Sequence, residues 1–360
     1  MLWIILAIIV FIVAATLLLF RLEDLSHLDR DDYPIKDATP SEANREVLGR
    51  IRELGQSSKG LRGKARLMAL RKHMDGLSEG IELASELRHC ESPRGEWVLA
   101  PGCDTRRRIL YIHGGAWAAG SPRSHRAITD RLSQITRAAV FALDYRLMPE
   151  NRFMDGVRDC REAYTWLLKH GPDGAEPADF MVVAGDSAGG NLALVTLLRL
   201  RELKLPMPSS AVLISPWGDL TCSGDSIRDN ADKEPLIPLG ALNFVSASYS
   251  RGYDAASPML SPVFADFTGL PPLLVQVGST ELLYSDAVRI ARQAEQAGVD
   301  CQLQVWDRMP HVFHALAAWL PEAGQALQEI GAFVHGHLSD RDRDSHVRAR
   351  ARVVGEQDSP

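Results

Sequence analysis

The feature of this sequence that most restricts its fold is an alternation of short β-rich runs with longer stretches of helical periodicity. Strands joined by helical segments form βαβ units, in which the strands lie parallel and the helices cover both faces of the sheet. The sequence therefore predicts an α/β fold with a mostly parallel sheet. The β-rich runs are 96–100, 107–112, 138–143, 180–184, 211–215, 273–277 and 301–306, and the helical stretches are 123–137, 153–170, 190–204, 285–297 and 322–338.

The alternation also divides the chain into predicted parts. Residues 90–338 contain the alternation and are expected to form the main domain. Residues 21–89 are charged and helix-prone without a strong strand pattern, so we predict an N-terminal helical region there. The interval 216–270 is rich in Pro, Gly and Asp and is predicted to leave the sheet and lie above it. The tail 339–360 alternates Asp with Arg and is predicted to be disordered.

The first residues of the chain differ in character from the rest. Residues 2–20 contain no charged side chain, and as a helix they would span about 28 Å, close to the ~30 Å hydrocarbon core of a bilayer. A cleaved signal peptide has a basic start and a shorter apolar run. We therefore predict an uncleaved, single-pass transmembrane anchor over residues 1–20, with membrane lipid as the partner of residues 2–20.

The charges that follow this apolar run favour a cytoplasmic main domain. Only the α-amino group is cationic before the run, and Lys and Arg concentrate after it, which is the pattern of the positive-inside rule. Six of them lie between positions 55 and 74 with no acidic residue among them: Lys59, Arg62, Lys64, Arg66, Arg71 and Lys72.

Composition argues against three other classes of protein. Lys and Arg total 40 against 46 Asp and Glu, and the resulting net charge of −6 disfavours a nucleic-acid partner. The five cysteines are scattered, with no Cys-x-x-Cys pair, which argues against a disulfide scaffold and against a zinc ribbon.

A candidate nucleophile lies where the run 180–184 meets the helical stretch 190–204. The residues Gly185-Asp-Ser-Ala-Gly189 between them match the pattern Gly-x-Ser-x-Gly. In a strand–turn–helix context this pattern forms a sharp turn that presents the serine hydroxyl above the edge of the sheet. The sequence therefore predicts that Ser187 is the nucleophile of a hydrolase.

A serine nucleophile needs hydrogen-bond donors for the oxyanion that forms during attack. The residues His113-Gly-Gly-Ala-Trp117 follow the run 107–112 directly, as expected of a loop whose backbone N–H groups face the developing charge. We predict that the donors are the N–H groups of Gly114, Gly115, Ala116 and Ala188.

The nucleophile also needs a base and an acid, which follow it in the order acid, then histidine, in this type of fold. His311 and His314 lie after the last β-rich run, and His311 is preferred because it follows Pro310, where the chain is still extended. Glu281 and Asp286 follow the run 273–277, and Glu281 is preferred because it is nearer to the end of the strand. No His-Glu-x-x-His pattern or other ligand cluster accompanies these residues, so neither a metal nor a cofactor is predicted.

In their order along residues 90–335, these motifs resemble the hormone-sensitive-lipase-like esterases, also called bacterial family IV, of the α/β-hydrolase fold. The resemblance implies an eight-stranded core sheet, a helical cap built from the N-terminal helices and the insertion 216–270, and ester hydrolysis without a metal. It also implies that Ser187 is the nucleophile and His311 the base. The matching motifs are His113-Gly-Gly-Ala-Trp117, Asp144-Tyr-Arg-Leu-Met-Pro-Glu150, Gly185-Asp-Ser-Ala-Gly-Gly-Asn191, Ser215-Pro-Trp-Gly-Asp-Leu220 and Pro310-His-Val-Phe313.

Two positions depart from the family pattern. Ala116 stands where the family has a third glycine, and Glu281 stands where the family more often has Asp. The methyl group of Ala116 restricts the backbone of the loop, and the exchange at Glu281 leaves the identity of the acid open.

The expected function is that of a serine carboxylesterase that hydrolyses short- to medium-chain acyl esters of small molecules through an acyl-enzyme. An N-terminal anchor before such a domain is similar to the arylacetamide deacetylases, so an amidase, a deacetylase or a lipid hydrolase with the same triad is the alternative. A non-catalytic, membrane-tethered binding protein is a further alternative, and the complete set of triad residues disfavours it.

Overall fold

The computed structural model of this chain describes residues 24–29, 33–36, 41–46, 49 and 63–338. A nine-stranded sheet forms its centre, and the order of the strands across the sheet is β1-β9-β8-β7-β6-β4-β5-β3-β2. Neighbouring strands are parallel except at the pairs β2–β3 and β3–β5. The strands are β1 (Ile35–Lys36), β2 (Glu86–Glu91), β3 (Arg94–Leu99), β4 (Asp104–Ile112), β5 (Ala138–Leu143), β6 (Phe180–Asp186), β7 (Ser210–Ile214), β8 (Leu273–Gly278) and β9 (Cys301–Trp306).

Helices connect the strands in the predicted alternation. The helices are α1 (Gly63–Asp75), α2 (Arg126–Thr136), α3 (Phe153–Leu167), α4 (Ala188–Glu202), α5 (Ser226–Asp229), α6 (Leu239–Tyr249), α7 (Tyr284–Gln296) and α8 (Pro321–Gly336). Short 3₁₀ turns lie at Ser26–Leu28, Arg123–His125, Pro262–Phe264 and Phe313–Leu316, and a small two-stranded ribbon pairs His170–Gly171 with Gly174–Ala175. The predicted α/β fold with a mostly parallel sheet is confirmed.

The sheet is buried on both faces, which explains the apolar runs in its central strands. In β4, Leu110 and Ile112 pack in one hydrophobic cluster with α3, α4 and α7, whereas Ile109 and Tyr111 pack in a second cluster with α2 and α8. Successive side chains of a strand point to opposite faces, so both sets of residues must be apolar.

Two strands lie in the N-terminal region for which no strand was expected, and one of them makes the sheet larger than the eight strands that the family resemblance implied. β1 pairs with β9 through Ile35 and Lys36. β2 forms an antiparallel hairpin with β3 at the opposite edge. The sequence of β2, Glu-Leu-Arg-His-Cys-Glu, is mostly polar because an edge strand contacts the core on one side only, so it shows no hydrophobic alternation.

The carboxyl ends of the parallel strands bring the candidate residues to one edge of the sheet. His113 follows β4, and Ser187 follows β6. Ser215 follows β7, and the loops that contain Glu281 and His311 follow β8 and β9. Open parallel sheets bind their ligands at this edge. The residues between β7 and β8 form α5, α6 and a 3₁₀ turn but no strand, as predicted for 216–270.

The predicted localisation, a single-pass membrane protein with its catalytic domain in the cytoplasm, is wrong. Within the described part of the chain, no helix is long and apolar enough to cross a bilayer. The longest of these helices, α8, has 16 residues and extends about 24 Å, less than the ~30 Å that a bilayer requires. The predicted anchor over residues 1–20, its lipid contact through residues 2–20 and the predicted tail over residues 339–360 lie outside the described residues.

Candidate active site

Ser187 occupies a strained turn between β6 and α4. Its backbone dihedrals, φ 54° and ψ −121°, are unusual for a residue with a side chain, and such strain is concentrated at functional sites. Gly189 is required here because a Cβ atom at this position would collide with the carbonyl oxygen of Ile112. The Ser187 N–H donates to the carbonyl of Ile214 at 2.8 Å, which ties the turn to β7. The predicted Gly-x-Ser-x-Gly elbow is therefore present, with the serine at the edge of the sheet.

The three side chains predicted to act together lie within hydrogen-bond distance of one another. Nε2 of His311 is 2.9 Å from Oγ of Ser187, and Nδ1 of His311 is 2.8 Å from Oε2 of Glu281. A neutral imidazole in this position donates its Nδ1–H to the carboxylate and accepts the serine hydroxyl at Nε2, which is the geometry of a nucleophile, a base and an acid.

The two alternative residues are placed elsewhere. Asp286 lies in α7, and its Oδ2 accepts the backbone N–H groups of Gly218 and Asp219, both at 2.8 Å. His314 lies in the 3₁₀ turn after the His311 loop, and its Nε2 pairs with Oε1 of Gln276 at 2.7 Å. Both side chains are buried and engaged in structural hydrogen bonds rather than in contact with Ser187.

The environment of His311 favours its protonated form. Burial of the ring by itself lowers the pKa of His311, but the hydrogen bond to Glu281 and the negative charges of Glu281 and Glu234 outweigh burial, and the pKa of His311 is raised above its ordinary value. A histidine that takes a proton from serine benefits from this environment because the imidazolium is stabilised as it forms.

Ser215 was quoted in a family motif but assigned no role, and the structure places it in contact with Glu281. Its hydroxyl donates to Oε1 of Glu281 at 2.8 Å and accepts the backbone N–H of Val312 at 3.1 Å. The N–H of Gly278 also donates to Oε1 of Glu281, at 2.6 Å. Ser215 thus joins the acid to the residue that follows His311. Its backbone has a positive φ of 45°, and no local sequence pattern predicts this bridge because its partners lie in other loops.

The predicted oxyanion loop approaches the nucleophile, but its residues differ in what their N–H groups contact. The N–H of Gly114 donates to Oδ1 of Asp186 at 3.0 Å and is therefore directed away from a substrate. Gly115 and Ala116 follow with φ values of 114° and 55°. Their N–H groups, together with that of Ala188 at the start of α4, are the remaining predicted donors.

A buried ion pair lies beneath this loop. Nε2 of His125 is 3.2 Å from Oδ2 of Asp186, and the hydroxyl of Tyr111 donates to Oδ1 of Asp186 at 2.7 Å. Burial acts to raise the pKa of Asp186, but the charge of His125 and these hydrogen bonds prevail and lower it. Burial acts to lower the pKa of His125, but the charge of Asp186 prevails and raises it. The pair fixes the position of the Asp186 carboxylate, which in turn holds Gly114.

Aromatic packing joins the loop to the segment between β7 and β8. Trp117 is buried and stacks on Tyr249 of α6 with a distance of 3.9 Å between ring centroids. The ring centroid of Trp217 lies 5.1 Å from that of Trp117. On the other side of the loop, Nε of Arg71 in α1 donates to the carbonyl of Ala118 at 2.8 Å. The predicted oxyanion loop is therefore in contact with both segments that were predicted to form a cap.

The arrangement is suited to acyl transfer, because it combines an activated hydroxyl, a base and backbone donors for an oxyanion. No group of three or more His, Cys, Asp and Glu side chains that could hold a metal ion occurs in residues 63–338 or the shorter described segments.

Comparisons with known proteins agree with this chemistry. A family model for the α/β-hydrolase fold matches residues 109–315. An acetyl-hydrolase from Streptomyces hygroscopicus is 42% identical over 246 residues, which cover 68% of this chain and 80% of the relative. The crystal structure of EstE5 soaked with p-nitrophenyl butyrate is similar with a TM-score of 0.74 and 38% identity, covering 82% of this chain and 99% of EstE5. The crystal structure of an esterase from the bacterial hormone-sensitive lipase family is similar with a TM-score of 0.75 and 35% identity, covering 84% of this chain and all of that one.

Proposed function

The chain belongs to the α/β-hydrolase family, within its hormone-sensitive-lipase-like esterases, and we propose that Ser187, His311 and Glu281 carry out its reaction. The protein is a carboxylesterase that acts on short-chain esters. The observation that carries the residue assignment is the continuous hydrogen-bonded series from Ser187 Oγ through His311 to Glu281, with distances of 2.9 and 2.8 Å.

In the first half of the reaction, Oγ of Ser187 attacks the ester carbonyl carbon and its proton passes to Nε2 of His311. Glu281 keeps the imidazole oriented and stabilises its positive charge without taking the proton. The tetrahedral intermediate collapses when its bond to the alkoxy oxygen breaks. His311 then delivers the proton to this oxygen, the alcohol leaves, and the acyl group remains on Ser187.

In the second half, a water molecule attacks the acyl-enzyme while His311 accepts one of its protons. Collapse of the second intermediate breaks the bond to Oγ of Ser187, and His311 returns the proton to this oxygen. The carboxylic acid is released and the free enzyme is restored, so the proposed kinetic scheme is ping-pong.

The negative oxygen that develops in both halves is proposed to bind the backbone N–H groups of Gly115, Ala116 and Ala188. Gly114 was predicted as a fourth donor, and we now propose that it positions the loop, since its N–H is bound to Asp186. One oxyanion donor typically contributes about 3–4 kcal/mol to stabilising the transition state.

The finer substrate range is also a proposal. The backbone N–H of Trp217 donates to the carbonyl of Ser187 at 3.1 Å, and the ring of Trp117 lies 5.1 Å from that of Trp217. Both side chains are almost fully buried, and we propose that they limit the length of the acyl chain. We propose that activity is highest on acetyl to butyryl esters and falls on longer chains of medium length.

The proposal is tested with purified protein and p-nitrophenyl esters of increasing acyl length. Wild-type protein should hydrolyse the short esters and react covalently at Ser187 with a fluorophosphonate, whereas Ser187→Ala should do neither while unfolding at the same temperature. Retained esterase activity in folded Ser187→Ala protein would show that the nucleophile is another residue.

A further inference from the structure

Glu234 is a buried carboxyl group that the reaction described above does not use. It lies between α5 and α6, and only 8% of its surface is exposed. Oε1 accepts the backbone N–H of Leu236 at 2.8 Å, whereas Oε2 is buried without a hydrogen-bond partner in the described part of the chain. A buried carboxyl oxygen without a partner costs folding free energy. Its presence beside a catalytic centre therefore suggests a contribution to function.

Asn230 connects the backbone of Glu234 to the loop that contains the proposed acid. The side-chain amide of Asn230 donates to the carbonyl oxygens of Ser279 and Glu281 at 3.1 and 2.9 Å. The N–H of Glu234 donates to the carbonyl of Asn230 at 3.0 Å, one turn further along the chain. The backbone of Glu234 is therefore connected to the Glu281 loop through a single residue, Asn230.

The charge of Glu234 interacts with both ionisable partners of the triad. Burial has the largest effect on the pKa of Glu234 and, with the negative charge of Glu281 acting in the same direction and His311 in the opposite one, raises it to about 7. In return, Glu234 raises the pKa of His311, in addition to the larger effect of Glu281.

Other titratable groups lie around this pair. His314, in the 3₁₀ turn after His311, interacts with His311, and chiefly burial lowers the pKa of His314 to about 3, so its ring is neutral near pH 7. Asp186 interacts with His311 from the side of β6. Lys233 is exposed and binds Oδ1 of Asn230 at 2.9 Å. Asp232 is exposed to solvent, where screening weakens its effect on the buried ring.

We propose that Glu234 is a positioning residue of the esterase, whose carboxylate acts through His311 by stabilising the imidazolium that forms when Ser187 loses its proton. The proton moves from Ser187 Oγ to His311 Nε2, and Glu234 neither donates nor accepts it. This inference rests on the roles proposed above for Ser187, His311 and Glu281. It assigns a part in the reaction to the segment between β7 and β8 in addition to covering the site.

The test compares Glu234→Gln with Asp232→Asn, which removes the same charge two residues away at an exposed position. Glutamine keeps an oxygen that can accept the Leu236 N–H. In pH profiles measured with p-nitrophenyl acetate, we expect the acid limb of kcat/KM for Glu234→Gln to move to lower pH by roughly half a unit to one unit, with kcat about three- to tenfold lower on the plateau. Glu234→Asp should recover most of the profile, and Asp232→Asn should match the wild-type protein.

An acid limb at the wild-type position in Glu234→Gln would overturn the proposal, because a purely structural role lowers the unfolding temperature without moving the profile. A second measurement does not need the variant to fold: an NMR titration of the His311 ring in the wild-type protein should show two coupled ionisations near neutrality. A single ionisation would also overturn it. Loss of activity in Ser187→Ala together with an unshifted Glu234→Gln profile would reject this inference while leaving the proposed function intact.

Discussion

The carboxylate of Asp186 accepts the backbone N–H of Gly114 at 3.0 Å, so the residue before the proposed nucleophile also contacts the predicted oxyanion loop. Because the same carboxylate pairs with buried His125 and receives the hydroxyl of Tyr111, the relative position of nucleophile and loop depends on one buried charge. This relationship explains why an acidic residue can lie beside the serine without acting as the acid of the triad.

The substitution Asp186→Asn should therefore reduce both stability and activity. It leaves His125 without its negative partner, and breaking a buried ion pair in this way typically costs about 3–5 kcal/mol. We expect the free energy of unfolding in urea to fall by about 3 kcal/mol and kcat/KM to fall because the oxyanion donors move. Asp173→Asn is the control, since Asp173 pairs with Arg88 at an exposed site and should change stability by less than about 1 kcal/mol. Equal effects of the two substitutions would contradict the proposed role of the buried pair.

The same pair predicts a pH window for stability. The pKa of Asp186 is lowered from 3.8, so its contribution is present above 3.8 and is lost as the pH falls through the lowered value. The pKa of His125 is raised from 6.5, so its contribution is present below 6.5 and is lost as the pH rises through the raised value. The stability difference between the wild-type protein and Asp186→Asn should thus be larger at pH 5 than at pH 9 in urea unfolding. A difference that is independent of pH would show that the pair is not ionised.

The substitutions Glu281→Gln and Asp286→Asn distinguish the two candidate acids. Glu281→Gln removes the charge that orients and stabilises His311, and in catalytic triads the corresponding loss in kcat is about 10⁴-fold. Asp286→Asn keeps an oxygen that can accept the N–H groups of Gly218 and Asp219 and should change kcat by only a few-fold. Steady-state kinetics on p-nitrophenyl acetate measure both. A larger loss for Asp286→Asn would make Asp286 the acid despite its position.

The substitution Ser215→Ala tests the bridge between the acid and the His311 loop. It removes one donor to Glu281 and leaves the Val312 N–H without its acceptor, which costs about 1–3 kcal/mol when buried. We expect kcat to fall about tenfold with little change in KM, because the loss affects the orientation of the triad rather than substrate binding. Ser210→Ala, at the start of the strand that Ser215 follows, is the matched control. The Ser210 hydroxyl is buried and has no partner within the described residues, so its removal should leave kcat unchanged. A similar kcat for both variants would rule out a positioning role for Ser215.

Local chemistry explains why some residues of the proposed site could be predicted from the sequence. The pattern Gly-x-Ser-x-Gly forms a sharp turn between a strand and a helix. Because all its residues lie within Gly185–Gly189, Ser187 can be proposed as the nucleophile without knowledge of the rest of the fold. The strands that are buried on both faces have long apolar runs for a similarly local reason. The polar edge strand Glu86–Glu91 was missed because it contributes few core contacts and shows no apolar alternation.

The length of an apolar run was not a sufficient guide to location. Residues 2–20 alone led to the prediction of a membrane protein, and the described residues contain no helix that could span a bilayer. The length of an apolar segment shows whether the segment could span a bilayer, but it does not by itself determine the location of a protein.

The amino-acid sequence by itself determined the α/β alternation, the elbow around Ser187 and the glycine-rich loop at 113–117, because each depends on residues that are close together in the chain. Only the tertiary structure decided that Glu281 rather than Asp286 meets His311, that Gly114 is bound to Asp186 and that Ser215 contacts Glu281. These relationships join loops that follow different strands. Hydrogen bonds between such loops require donor–acceptor distances that are correct to a few tenths of an ångström, and the packing of the whole sheet establishes these distances.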